Sequence, residues 1–513
     1  MLYPIGIQDF EYLRNYGFAY VDKTQYVYEL ATTGKYYFLG RPRRFGKSLL
    51  TSTLRYYFEG RKELFKGLAI EQLEKDWTVH PVLHLDLNTG KYDSLDALRA
   101  RLNSHLEMWE ALYGDKYKDC NPDERFLQVI KLACEQTKQS VVVLVDEYDK
   151  PLLQNFDNPK LQDELRAELK AFYSVLKTQD RYIRFAFLTG VTKFGKVSVF
   201  SDLNNLEDIS MSKRYATLCG ITEAEMHQYF EPSLHELAEE NEMTYEEVCA
   251  ELKRRYDGYH FEHRTPGVYN PFSLLNTLKE KAFKNYWVET GTPTFLVQLL
   301  QDCGYDLARL QESEVQSSVL MSVDSVRTNP LPLIYQSGYL TVRGYDKRFN
   351  KYRLGFPNKE VEEGFVSFLL PYYIQMRRGS TEFAVDRFVN EVESGKADGF
   401  MSRLQTLFAG MNYQIMGEME KYFHNALFLI FRLMGIYTEV EYVSAKGRAD
   451  IVLKTQDYIY IIECKLDDSV ASALQQIEDK GYAAPFAHDP RKLFKIGVSF
   501  SSEQHGIAEW RVE

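Results

Sequence analysis

Residues 1–217 alternate short, continuously apolar runs with amphipathic stretches. The runs at 36–39 (YYFL), 82–87 (VLHLDL), 141–145 (VVVLV) and 183–188 (IRFAFL) have the length of strands, and their continuity suits a sheet covered on both faces. Residues 20–34 read as a helix closing at Gly34, a further helix begins near Lys47, and two more fill roughly 93–137. Strands that alternate with helices predict a mainly parallel α/β sheet.

The pattern changes at 218. Amphipathic helices are predicted over 222–256 and 272–302, and the run Tyr256-Asp257-Gly258-Tyr259 lies between them. Near 331–356 a helix ending at Gly338 leads into two short apolar strands around a polar turn, the order of a winged-helix-like module. Arg, Gly, Ser and Glu cluster at 377–398, which reads as a linker, and 399–513 switches to helix (419–435), paired strands and helix (469–483). The expected division is therefore 1–217, 218–376, the linker 377–398 and a separate α/β unit at 399–513.

Composition adds exclusions. Hydrophobic residues make up 45% and charged residues 26% of the 513, an ordinary globular balance, and aromatic residues reach 14%. Neither a secretory leader nor a long apolar span is legible, and the six cysteines are scattered without a CxxC pair, so the chain reads as cytosolic, without membrane contact, disulfide framework or zinc knuckle. A net charge of −11 argues against a protein that coats nucleic acid by broad phosphate neutralisation, yet leaves room for a local basic groove or a metal-assisted site.

The segment from Gly40 through Arg43, Arg44 and Gly46 to Lys47 and Ser48 joins an apolar strand to a helix. In a phosphate loop, backbone N–H groups wrap the phosphates at a helix N-terminus, the lysine neutralises their oxygens and the serine hydroxyl binds magnesium. Arg41 stands where the first glycine of that motif belongs, so the loop has an altered shape and Arg43 and Arg44 become candidates for phosphate contact. The run at 141–145 delivers Asp146 and Glu147 to a strand end, the first suited to the magnesium shell and the second to activating water. Thr189, with Thr192 next, is a candidate sensor of the terminal phosphate, or a hydroxyl satisfying the strand end.

In the last unit Glu463 and Lys465 are two apart on one strand, so they share a face, while Cys464 points away. A hairpin would bring Asp450 near Glu463. Those carboxylates, the Cys464 carbonyl and Glu420 would hold magnesium, with Lys465 activating water for phosphodiester cleavage; Gln476, Lys480 and Tyr482 follow on the next helix. A solvated Glu–Lys pair on an amphipathic edge strand explains the same spacing.

The runs VDKT, RPRRFGKS, DEYDKP, TGVTKFGKVSVFSDLNNLEDI, YDGYHF, VYNPFSLLN and ETGTPTFL resemble the bacterial AAA-ATPase-like family, whose members often carry a C-terminal domain of the PD-(D/E)XK nuclease superfamily. The resemblance implies a P-loop NTPase core, a helical middle region and a restriction-endonuclease-like α/β domain. It also implies ATP at Lys47 and Ser48 and the acidic pair Asp146 and Glu147. The expected cofactors are ATP and Mg2+, and the candidate partners are DNA or RNA and a second copy of the chain. Two readings compete: an ATPase coupled to a metal-dependent nuclease, and a nucleotide-dependent switch or scaffold with a catalytically quiet nuclease fold. A kinase on the same loop is a third, for which no acceptor base beyond Glu147 stands out.

Overall fold

A computed structural model describes residues 1–194, 199, 203, 205–288, 294–320, 323, 329–374, 385–409, 419–437, 451–504 and 506–513. The chain divides into two compact units, Met1–Gly291 with Glu312–Glu360, and Thr292–Gln311 with Val361–Glu513. The interval 218–376 is thus shared between both units.

The first unit is built on strands β1 (Tyr36–Gly40), β2 (Val82–Asp86), β3 (Val141–Asp146), β4 (Ile183–Gly190) and β5 (Glu207–Asp208), parallel in the order β2-β3-β4-β1-β5. Every residue of β3 is buried, whereas β2 alternates buried and half-buried positions as the edge strand. The strands carrying the phosphate loop and the acidic pair are not neighbours, because β4 lies between them. Helices Leu95–Tyr113, Pro122–Thr137 and Pro159–Thr178 connect the strands; Ser94 caps the first through Ala97 N (3.2 Å) and Asn158 caps the third through Leu161 N (3.2 Å).

The stretch 222–256, expected as one helix, is two: Glu223–Glu240 and Tyr245–Tyr256. Thr244 and Glu247 form a capping box that restarts the helix, and Thr222 and Glu225 do the same at the first start. The expected helix 272–302 is likewise divided into Pro271–Glu280 and Thr294–Asp302. Strands β6 (Glu314–Gln316), β7 (Thr341–Asp346) and β8 (Lys351–Gly355) form an antiparallel sheet in the order β6-β8-β7, preceded at β7 by helix Leu331–Gln336.

The second unit contains a sheet in the order β12-β11-β10-β9, formed by β9 (Ile451–Lys454), β10 (Tyr458–Leu466), β11 (Lys492–Ser501) and β12 (Gly506–Val512). β10 and β11 are parallel and joined through helix Val470–Asp479, which lies so close to β11 that a Cβ on Gly497 would stand 2.8 Å from the Val470 carbonyl oxygen. Within 377–398 the described part holds helix Val385–Glu393, ordered because Phe388, Val389 and Val392 give it a buried face. No helix among the described residues is long and apolar enough to cross a membrane.

Candidate functional site

The candidate phosphate loop turns through two left-handed residues, Arg44 at φ 69° and Gly46 at φ 88°, before helix Lys47–Phe58 begins. Nothing lies within 4 Å of a Cβ placed on Gly46, so the glycine answers the backbone conformation, not a neighbour. Lys47 is buried, donates from Nζ to the Arg41 carbonyl (3.0 Å) and the Pro42 carbonyl (3.3 Å), and stands 3.2 Å from Glu147 Oε1. The odd arginine of the motif turns the other way. Arg41 is 1% exposed, donates to the carbonyls of Gly40 (2.9 Å), Ser210 (2.6 Å) and Tyr215 (3.1 Å), and stacks 3.9 Å above the Phe261 ring.

At the end of β3, Asp146 accepts from Thr189 Oγ1 (2.5 Å), and Ser48 stands near enough to bear on its charge. Burial, then the neighbouring Glu147, pushes its carboxyl above the usual range. Glu147 has φ 55°, an uncommon conformation for its residue type, and this turns its carboxylate to Lys47. Asp149 is fully buried and accepts from Thr192 N (2.6 Å), Thr192 Oγ1 (2.7 Å) and Val191 N (3.1 Å), tying the ends of β3 and β4 together; burial and Glu147 push its carboxyl up to about 6. Gly190 is needed there, since a Cβ would meet Asp149 Oδ1 and the Tyr148 ring at 2.7 Å.

The middle region braces the loop from beneath. Phe45 packs edge-on against Tyr259 (4.7 Å) and Phe261 (5.5 Å). Gly258, at φ 94°, lets the neighbouring turn pass close to Pro357, because a Cβ would fall 2.1 Å from the Pro357 carbonyl oxygen. Trp287 donates from its indole to the Arg43 carbonyl (3.2 Å) and from its backbone to buried Glu360 (2.7 Å), which also accepts from Ser273 Oγ (2.7 Å). The runs YDGYHF and VYNPFSLLN thereby acquire a physical role, which their residue types alone did not disclose.

A cleft of about 460 Å³ opens at the N-terminus of helix Lys47–Phe58, a size suited to a nucleotide. Arg43, Arg44, Gly46, Lys47, Ser48 and Glu147 line it, with Asn88 and Lys150 opposite and Ile5, Ile7, Phe272 and Leu275 forming an apolar part. Arg44 lies 4.9 Å over the Phe272 ring. Gly40 does not line the cleft: its N–H is given to Ser210 Oγ (2.8 Å). Asp146, Thr189 and Thr192 are buried beneath the cleft, with both threonine hydroxyls held by aspartates. Sequence reasoning missed Lys150, which donates to the Asn88 carbonyl and to Asn88 Oδ1 (3.1 Å), although it stands in the quoted run DEYDKP. It also missed the apolar wall from Pro4 to Gln8, where no motif marks the approach.

In the second unit Ile461, Glu463 and Lys465 share the face of β10 that meets helix Val470–Asp479. Glu463 is 1% exposed. Gln476 bridges the pair, donating to Glu463 Oε1 and accepting from Lys465 Nζ (2.5 Å), while Lys465 Nζ stands 3.4 Å from Glu463 and Tyr482 OH 3.4 Å from Gln476 Nε2. Cys464 is half-buried on the other face, and Lys480 is exposed past the helix end. The antiparallel register of β9 and β10 ends with Ile451 opposite Ile462; Asp450 lies outside the described residues, as do the Glu420 side chain and Asn204. Among the described residues no three metal-capable side chains cluster.

A family model described as a predicted AAA-ATPase matches residues 4–200, and one described as the PD-(D/E)XK nuclease superfamily matches residues 418–510. The chain is 34% identical over 526 aligned positions to a protein of Azotobacter chroococcum mcd 1 named "Uncharacterized protein in vnfD 5'region", covering 99% of this chain and 98% of the relative. Likeness of that degree along nearly the whole of both chains makes this protein a member of the AAA-ATPase-like family that carries a C-terminal PD-(D/E)XK nuclease superfamily domain.

Proposed function

We propose that the chain hydrolyses ATP with magnesium and couples that cycle to metal-dependent cleavage of DNA or RNA by its C-terminal unit. The convergence of Lys47, Ser48 and Glu147 on one cleft at a helix N-terminus carries this reading. Amides at the start of the helix and the Lys47 ammonium receive phosphate oxygens, which compete with the Arg41 and Pro42 carbonyls for Nζ. Arg43 and Arg44 add charge from the exposed lip of the loop. Ser48, with Asp146 behind it, would hold a magnesium ion, which would supply charge neutralisation at the phosphates. Glu147 orients the attacking water and takes its proton, while Thr189 holds Asp146 in place.

In the C-terminal unit, Glu463 with Asp450, Glu420 and the Cys464 carbonyl would hold the divalent ion. Lys465, steadied by Gln476, positions the attacking water. The test uses the full chain. Glu147→Gln should keep nucleotide affinity and lower phosphate release at least about 100-fold, the usual contribution of a general base. Lys465→Ala should keep manganese binding and lose cleavage of DNA and RNA. Normal turnover in the first variant removes Glu147 as base. A parent that binds no metal and cuts neither substrate leaves the nucleotide-dependent switch with a quiet nuclease fold.

A further inference from the structure

The hairpin of β7 and β8 departs from the charge of the chain around it. Residues 343–353, RGYDKRFNKYR, hold five basic side chains (Arg343, Lys347, Arg348, Lys351, Arg353) against one acid, Asp346, in a protein of net charge −11. The acid is used inside the turn, where Asp346 Oδ1 accepts from Arg348 N (2.8 Å) and Phe349 N (3.2 Å). Nearby Glu314 takes Lys351 at 3.4 Å, and Glu262 takes Arg264 at 2.9 Å. Lys347, Arg348 and Arg353 have no ion-pair partner among the described residues, and all three are exposed. Gly344 makes room for the last, since a Cβ there would stand 2.7 Å from Arg353 Nη2.

The tip also presents an aromatic ring to solvent. Phe349 is 55% exposed, with the Arg348 guanidinium 5.0 Å over its face. Behind it, Tyr345 packs with tilted rings against Tyr352 (4.8 Å) and His263 (4.7 Å), which stiffens the two strands. An exposed phenyl ring costs solubility, and unpaired cations beside it suit a ligand with a repeating negative charge and flat apolar faces. Nucleic acid has both. A two-stranded ribbon is also narrow enough to enter a duplex major groove.

We propose that this hairpin is a nucleic-acid-binding wing of the ATPase unit, with Lys347, Arg348 and Arg353 on backbone phosphates and Phe349 against a base or sugar. The proposed function supplies only the class of ligand; the hairpin shares no residue with the nucleotide cleft or with the Glu463 site. The experiment measures fluorescence anisotropy of a labelled duplex DNA and of one of its strands, with the full chain, in EDTA, across a salt series. Chelation keeps cleavage out of the readout, so an inactive nuclease would not imitate a failed wing.

Lys347→Ala with Arg348→Ala should weaken binding at least about tenfold and lower the slope of log affinity against log salt by about 2, one for each phosphate no longer neutralised. Phe349→Ala should weaken binding several-fold without changing the slope. The stronger of the two probes identifies whether a groove or an unpaired strand is held. Affinity for a fluorescent ATP analogue and the melting temperature should match the parent in all variants. A parent that binds neither probe, or a double variant with unchanged affinity and slope, overturns the proposal. Equal dependence of poly-glutamate binding on the same residues, without any on DNA, would overturn it in favour of an acidic protein partner.

Discussion

Two cations in the same loop do opposite work. Lys47 is aimed at the cleft, whereas Arg41 is turned inward onto three carbonyls and the Phe261 ring. The residue that breaks the glycine spacing of the motif is therefore a support for the loop. Arg41→Ala should cost about 3 kcal/mol in urea unfolding, since buried carbonyls lose charged donors, and Arg41→Lys should not restore it because one ammonium cannot serve the same fork. Lys47→Ala should lose most ATP affinity by calorimetry, since the charge aimed at the cleft disappears. Equal stability of Arg41→Ala and the parent would show that the buried guanidinium is dispensable. Residue types announced Lys47, Ser48, Asp146 and Glu147 as chemistry, yet nothing in a linear string separates an arginine that faces phosphate from one that faces carbonyls.

At the scale of elements, the strands of the first sheet were legible because continuous apolar runs leave few alternatives, and β1 through β4 lie where those runs stand. Helix breaks were harder to see. The interruption before Tyr245 comes from a Thr244–Glu247 capping box inside an amphipathic pattern that continues across it. The turn at Gly258 was visible as a motif but not as a brace, since its partner, Pro357, is far along the chain. Gly258→Ala should lower stability by about 3 kcal/mol, combining positive-φ strain with a backbone clash. It should also weaken ATP binding, because Tyr259 and Phe261 lie under Phe45. Thermal melting with nucleotide titration checks this; full affinity at an unchanged melting temperature would disconnect the turn from the loop.

For the molecule as a whole, buried Glu360 offers a pH signature. Burial pushes its carboxyl up to about 7 from an ordinary 4.5, against the opposing hydrogen bonds from Trp287, Ser273 and Tyr286. Below pH 4.5 folded and unfolded chains both hold the proton. Between 4.5 and about 7 only the folded chain keeps it, so stability falls as pH rises and the loss is complete above about 7. Measured against Glu360→Gln, the parent should lose up to about 3 kcal/mol across that window in urea midpoints. A difference between parent and variant that stays constant from pH 4.5 to 8 would show that Glu360 does not titrate there.

The sequence by itself determined the four main strands of the first sheet and the helices between the second and third of them, and it marked the candidate loop and acidic pair, because hydrophobic period and local motif are short-range properties of a chain; it did not show helix Pro159–Thr178 or β5. It also carried the family and the spacing of Glu463 and Lys465 on one strand face. Tertiary structure alone decided that β4 lies between β1 and β3, that Gly40, Asp146 and Thr189 sit away from the cleft lining, and that Lys150 and the Pro4–Gln8 segment join it. It also decided that Gln476 holds Glu463 and Lys465 together. These depend on which distant segments meet and on which hydrogen-bond donors each buried oxygen finds there, and neither is written in the spacing of residues along a line.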